Sequence, residues 1–306
     1  MVKNGITKLS VSVLDMEKSL EFYVGCFGCE VVGGHSYTND ELKAVWGVED
    51  GVTGEAKYLR KGTDRPTLLE LIQFSPLPAA FKRPEGQPNY YCGTFDIGFR
   101  VKDMPVQYDL LKDRYRFFNP PKAYTAPWTS NEVQEVVMWS PDRVPTAFMM
   151  SGVNEGSGFT SITTNAYFTR DVDAANKFFT DVLGLNVVFD RVMPEGLVNN
   201  ILDIPAGDTP RITMIFRQGI NSPVPEIMEC QHDAPAVNDY AKPQDIGIIG
   251  AAYEVENLDE SVAAAAKLGY ETVAPAAEME NGPLGKLRTA TVRAFDGEFF
   301  QLYEVR

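Results

Sequence analysis

Over residues 8–13, apolar and polar positions alternate strictly. Leu9, Val11 and Val13 fall on one face and Lys8, Ser10 and Ser12 on the other, the period of a half-buried strand. Then the period lengthens. Asp15 stands where a helix cap belongs, Met16, Leu20, Tyr23 and Phe27 form an apolar stripe, and Gly28 stops it. Residues 30–32 begin a second strand. Residues 162–188 repeat this design. The pair Phe178-Phe179 and Gly184 follow Asp171 at the offsets at which Phe22-Tyr23 and Gly28 follow Asp15. A cap, an aromatic pair and a stop glycine in common register mark an internal repeat.

The same reading carried along the chain gives four βαβββ modules. Module one covers about 6–74, with later strands at 55–60 and 67–74 around a turn at 61–66; the proline-rich 75–92 is a linker. Module two covers about 93–152: a strand at 95–101, Asp103 as cap, a short helix carrying Val106, Leu110 and Leu111, and strands at 135–139 and 146–150. Residues 153–158 form a flexible junction. Module three, about 159–217, ends in strands near 198–203 and 211–216, and 218–245 is a second linker. Module four, about 246–306, has a strand at 248–255, Asn257 as cap, an Ala-rich helix at 259–268 and strands at 289–293 and 299–304. The fold class is α+β. A lone module leaves one sheet face uncovered, so modules pair into cup-shaped open barrels, as two domains, 1–155 and 156–306. The shared concave interior is the ligand site.

Composition narrows the function. A length of 306 residues and 44% hydrophobic content suit two globular domains. The net charge of −14 argues against nucleic acid and against an anionic membrane surface as partners. No apolar run approaches a membrane span and the first residues lack a signal-peptide core, so a cytoplasmic location is expected. A small-molecule ligand is the expected partner, with a homodimer left open. Cys26 and Cys29 match CxxC, but no second pair accompanies them, and they read as core-filling thiols.

The module starts KLSVSVLDMEKSLEFYVGCFG and NAYFTRDVDAANKFFTDVLG, with the ends TLLELIQF and FDGEFFQLYE, resemble the vicinal oxygen chelate superfamily, also called glyoxalase/bleomycin resistance/dioxygenase proteins. The resemblance covers essentially the whole chain and specifies fold better than reaction. It implies a divalent metal inside a cup, held by a first-strand residue seven before the cap, usually His, and by a mid-strand Glu on each module's last strand. Here the first-strand slots hold Lys8, Asp96, Thr164 and Gly250, and the last-strand slots Glu70, Met149, Met214 and Gln301. None is histidine. His35 and His232 lie in loop-like segments away from the slots. The second half therefore departs from the ring-cleaving extradiol dioxygenases, which four-module members otherwise resemble, and no metal site is expected there.

If modules one and two share a cup, Lys8, Glu70 and Asp96 face each other as acid–base catalysts tuned by burial. A structural ion pair at the cup mouth, or Mg²⁺ or Mn²⁺ at Glu70 and Asp96, are the alternatives. If modules pair one with four and two with three, Lys8 and Glu70 instead face Gly250 and Gln301, and Asp96 lies in another cup. Trp46, Tyr58, Trp128 and Trp139 are aromatic candidates for a substrate pocket, and Thr164 and Gln301 polar ones. The expected function is proton-transfer chemistry, a lyase or isomerase without the usual His/Glu metal centre and without a cofactor, on a small aromatic or carbonyl-bearing metabolite. Two other readings stay open: a non-catalytic protein that sequesters a small molecule, and a divalent-metal-dependent lyase.

Overall fold

The computed structural model describes residues 1–62, 67–152, 155–219 and 222–306. The turn expected over 63–66 and the start of the junction at 153–154 lie outside the described residues.

Module one is β1 (Val2–Ser12), α1 (Met16–Leu20), β2 (Glu30–Tyr37), α2 (Asn39–Trp46), β3 (Thr53–Arg60) and β4 (Leu68–Ser75). Module two is β5 (Gly93–Val101), α3 (Met104–Leu111), β6 (Lys122–Thr125), β7 (Glu132–Trp139) and β8 (Pro145–Ser151). Module three is β9 (Phe159–Thr169), α4 (Val172–Lys177), β10 (Asn186–Val192), α5 (Asn199–Leu202), β11 (Arg211–Phe216) and β12 (Val224–Glu229). Module four is β13 (Gly247–Val255), α6 (Leu258–Lys267), β14 (Glu271–Glu280), β15 (Lys286–Arg293) and β16 (Phe299–Val305). The repeat is visible in the caps. Asp15, Asp171 and Asn257 each accept the backbone N–H three residues on. Gly28 and Gly184 end their helical segments at φ of 64° and 68°, where a side chain would be strained. Asp103 departs from the pattern: its carboxylate accepts from the Gly158 N–H at 2.9 Å and does not cap α3.

Two eight-stranded sheets result, and each draws a module from either side of residue 155. The first runs β14-β15-β16-β13-β1-β4-β3-β2 and the second β10-β11-β12-β9-β5-β8-β7-β6. Pairing is therefore one with four and two with three, which corrects the neighbouring-module cup and leaves neither 1–155 nor 156–306 with a whole sheet. The seam lies at β1. Both of its faces are buried, so it needs a partner on each edge: β4 runs parallel along one, and β13 runs antiparallel along the other with Ser10 opposite Gly250. β5 and β9 make the matching seam of the second sheet, where Ile97 lies opposite Asn165.

Leu9, Val11 and Val13 join Ile97, Phe99, Phe178 and Phe179 in one large core on the convex, helix-bearing sides of the sheets. The polar half of the β1 alternation does not face water. Lys8, Ser10 and Ser12 are fully buried inside the first cup, whose apolar lining includes Trp46, Ile72 and Leu287.

Three other expectations change. Residues 199–202 are the helix α5, not a strand, because the Asn199 amide ties its insertion into a compact loop: it donates to the carbonyls of Pro205 and Asp208 and accepts from the Gly196 N–H. The last strand of module three is β12, inside the segment read as a linker, where Pro223 and Pro225 disguise it as loop. β14 was hidden by its mostly exposed, alanine-rich sequence and by two register shifts against β15. No described helix is long and apolar enough to cross a membrane.

Candidate functional site

The first cup contains a buried ion pair. Lys8 Nζ donates to Glu70 Oε2 at 2.7 Å, and both side chains are fully buried. Ser10 Oγ donates to the same oxygen at 2.5 Å and Tyr37 OH to Glu70 Oε1 at 2.6 Å. Because the Tyr37 proton goes to Glu70, Tyr58 OH donates to Tyr37 OH at 2.8 Å, and Asn281 Nδ2 donates to it at 2.7 Å. Burial drives the Glu70 carboxyl upward, but the attraction of Lys8 and the hydrogen bonds from Lys8, Ser10 and Tyr37 outweigh it and hold the carboxyl below its ordinary value. The Trp46 ring lies 5.7 Å from Lys8 Nζ, and Gln301 Nε2 is engaged by Thr289 Oγ1 at 3.0 Å. The Glu70 carboxylate is fully engaged and closed in by its neighbours, while Trp46 Nε1 and Gln301 Oε1 are buried without a hydrogen-bond partner. Asp96 is not part of it, since β5 lies in the other sheet. The acid–base trio Lys8, Glu70 and Asp96 therefore does not assemble, and Glu70 and Asp96 do not face one Mg²⁺ or Mn²⁺.

In the second cup, acidic groups gather without a cation. Glu226 on β12 stands two residues beyond the partner of Thr164, as Glu70 stands two beyond the partner of Lys8. It, and not Met214, is the last-strand residue of module three. Asp96, Glu135 and Glu226 line one narrow cavity of about 20 Å³ together with Tyr124, Trp128 and Ile201. Glu135 and Glu226 also line a neighbouring cavity of about 30 Å³ with Gly98, Thr164 and Met149. Each has room for a water or two. Gly98 makes space for Thr164, since a Cβ there would stand 1.9 Å from Thr164 Oγ1. Asp96 is buried, with Oδ1 accepting the Ala166 N–H at 3.2 Å. Glu135 Oε2 accepts from Tyr124 OH at 2.6 Å.

Burial and then the repulsion of Glu135 push the Asp96 carboxyl up to about 7, against the Ala166 hydrogen bond and the more distant Arg83. Burial, then Glu135 and Asp96, hold Glu226 well above the usual carboxylate range. Glu135 is raised by burial, partly offset by Tyr124. Carboxyl groups confined together this way titrate as a unit, and they share protons instead of all ionising.

The sequence-predicted residues thus separate. Lys8, Trp46, Tyr58, Glu70 and Gln301 belong to the closed first cup, and Asp96, Trp128 and Thr164 to the second. Trp139 lines an external cleft. Glu135 and Glu226 were missed. Glu135 sits outside the family slots, and Glu226 sits on the disguised strand. His35 lies on β2 and pairs with Glu41 at 3.2 Å, while His232 pairs with Asp208 at 2.7 Å, so both are occupied outside the cups. Cys26 and Cys29 are free thiols, Cys29 buried and pushed by burial up to about 12.

A divalent metal in such a cup needs converging donors. Among the described residues no group of three or more His, Cys, Asp or Glu side chains is arranged to hold one. The present side-chain set of the second cup does not fit a metal centre.

The Glyoxalase/Bleomycin resistance protein/Dioxygenase superfamily matches this sequence over residues 161–296. No curated protein matches it. Among solved structures, glyoxalase I from Zea mays is 13% identical and superimposes with a TM-score of 0.66 over 99% of this chain and 92% of that one. A single-residue variant of the same maize protein gives 14% and 0.67 over the same shares. A candidate dioxygenase from Bacillus subtilis subsp. subtilis str. 168 is 13% identical, with a TM-score of 0.61 over 100% of this chain and 86% of that one. At these identities the likeness concerns the fold alone. Residues 161–296 thus match the sequence pattern of that superfamily, and the two eight-stranded sheets share the fold of the maize and Bacillus structures.

Proposed function

We propose that the protein is a proton-transfer enzyme, a lyase or isomerase, acting in its second cup on a small carbonyl-bearing metabolite. The observation that carries this reading is the set of three carboxyl groups raised in one cavity, with Asp96 near neutrality. Glu70, by contrast, is held low by Lys8, and among the described residues no such ion pair holds these three.

A base with its midpoint near the working pH is half available and still strong enough to accept a proton. Asp96 takes the proton from the carbon beside the substrate carbonyl. Glu226, kept protonated, donates a hydrogen bond to the carbonyl oxygen and stabilises the enolate as charge develops there. In the isomerisation of an α-hydroxyketone, Glu226 protonates the former carbonyl oxygen and recovers the proton of the neighbouring hydroxyl, which becomes the new carbonyl. Protonated Asp96 returns its proton to the former carbonyl carbon. In an elimination the enolate reforms its carbonyl, the bond to a β-oxygen breaks, and Asp96 protonates the departing oxygen. Trp128 and Ile201 supply the apolar wall that keeps these carboxyls raised. The narrowness of the cavity favours a small substrate and requires α5 to yield on binding. That narrowness is also the observation behind the second reading, a sequestering protein that closes around its ligand.

Solvent exchange separates the two. Small 2-oxo acids and α-hydroxyketones incubated in D2O should exchange their α-protons faster with the protein, and Asp96→Asn should lower that rate by about 10²-fold or more. Protection of the α-protons, or exchange equal in the two proteins, contradicts the enzymatic reading.

A further inference from the structure

We propose that a surface cleft outside both cups binds a small aromatic anion, with its ring on Trp139 and its negative charge between Arg116 and Arg143. The cleft holds about 530 Å³, in the range of small-molecule sites and far larger than the spaces inside the second cup. One wall is the linker stretch 84–89 and the other carries Trp139, Arg116 and Arg143.

Four features point to a built site. The partly exposed Trp139 is backed by Phe118 at a centroid distance of 5.0 Å, and its backbone N–H donates to the Arg116 carbonyl at 2.9 Å, so the two backbones run side by side and both side chains reach the cleft. Arg143 adopts a left-handed backbone with φ of 54°, which for a long side chain costs about 1 kcal/mol or more and is characteristic of functional positions. Its guanidinium also lies 4.2 Å from the centre of the Phe81 ring, which holds it at the cleft. Finally, in a chain of net charge −14 this cleft gathers three arginines.

The charges facing one another can be followed individually. Arg83 is fully used, donating to the carbonyls of Asn89, Tyr91, Gly93 and Thr94. Asp203 accepts from Asn89 Nδ2 at 3.3 Å. Among the described residues, the carboxylate that pairs with the two remaining arginines is that of Glu85, 3.8 Å from Arg116 and 3.4 Å from Arg143. It is a loose partner: its side chain is 71% exposed, and the longer contact is not a hydrogen bond. Glu85 occupies the place a carboxylate or phosphate would take, and a ligand anion that engages the guanidinium edges bidentately displaces it. The ring of that ligand supplies the stacking contact that Glu85 cannot.

Binding is read by titration calorimetry on the full-length protein with benzoate, phenyl phosphate, benzamide and acetate. Benzoate or phenyl phosphate should bind in about the millimolar range, and acetate and benzamide at least about tenfold more weakly. Which of the two anions binds tighter identifies the headgroup as carboxylate or phosphate. Glu85→Gln should tighten binding several-fold, and Arg116→Gln with Arg143→Gln should weaken it about tenfold or more. Asp96→Asn should leave these affinities unchanged, so the cleft and the cup are tested separately. The proposal is overturned if benzamide binds as well as benzoate, if the arginine variants bind normally, or if neither anion binds Glu85→Gln at about 20 mM.

Discussion

Lys8 and Asp96 occupy the same place in the repeat, seven residues before a cap position, and their surroundings give them opposite roles. Lys8 meets Glu70, Ser10 and Tyr37 in a sealed network, so its loss should be felt in stability and not in turnover. Lys8→Met leaves a buried carboxylate without its cation and should cost about 3–5 kcal/mol, read as a lowered urea midpoint. Adding Glu70→Leu to that variant should recover much of the loss, because no unpaired charge then remains. Failure of the second substitution to rescue would mean that Glu70 contributes mainly through Ser10 and Tyr37. Asp96 has no such cation beside it, and its neighbour Glu135 repels it. The alternation of β1 made the polar slot at Lys8 legible, and the cap offset did the same for Asp96. Which side chains faced them was not legible, because cross-strand partners are set by sheet order and not by local pattern.

At the scale of elements, strongly periodic pieces were readable and inserted or disguised ones were not. β1, β5, β9 and β13 announce themselves by alternation or apolar runs followed by caps. β12 does not, since two prolines flank Val224 and its last-strand role depends on pairing with β9. The insertion carrying α5 was invisible for another reason: its shape is held by one side chain, Asn199, which is buried with hydrogen bonds of 2.5, 2.8 and 3.0 Å. That insertion places Val198, Ile201 and Leu202 over the acidic cup. Asn199→Ala should loosen it without unfolding the sheets, at a cost of about 1–3 kcal/mol. Hydrogen exchange should then quicken over residues 196–208 and stay unchanged in β9 and β5. Equal acceleration throughout would show that the insertion is part of the global folding unit.

For the whole molecule, the decisive feature is the pairing of module one with four and two with three, which gives two cups of one design. The four-module count and the α+β class followed from the repeat. The pairing did not, because adjacent and nested arrangements satisfy the same strand patterns and differ only in which first strands meet. That choice matters for function: it seals a neutralised ion pair in one cup and leaves unneutralised carboxyls in the other. The account therefore rests on a contrast between two sets of acidic groups. A carbon-detected NMR titration of the Asp and Glu side-chain carboxyls reads that contrast directly. It should show a carboxyl with a midpoint near 7 that disappears in Asp96→Asn, while Glu70 titrates below its ordinary value. If every carboxyl of the protein titrates below about 5, as ordinary Asp and Glu do, the second cup is not an acid–base site and the central claim is wrong.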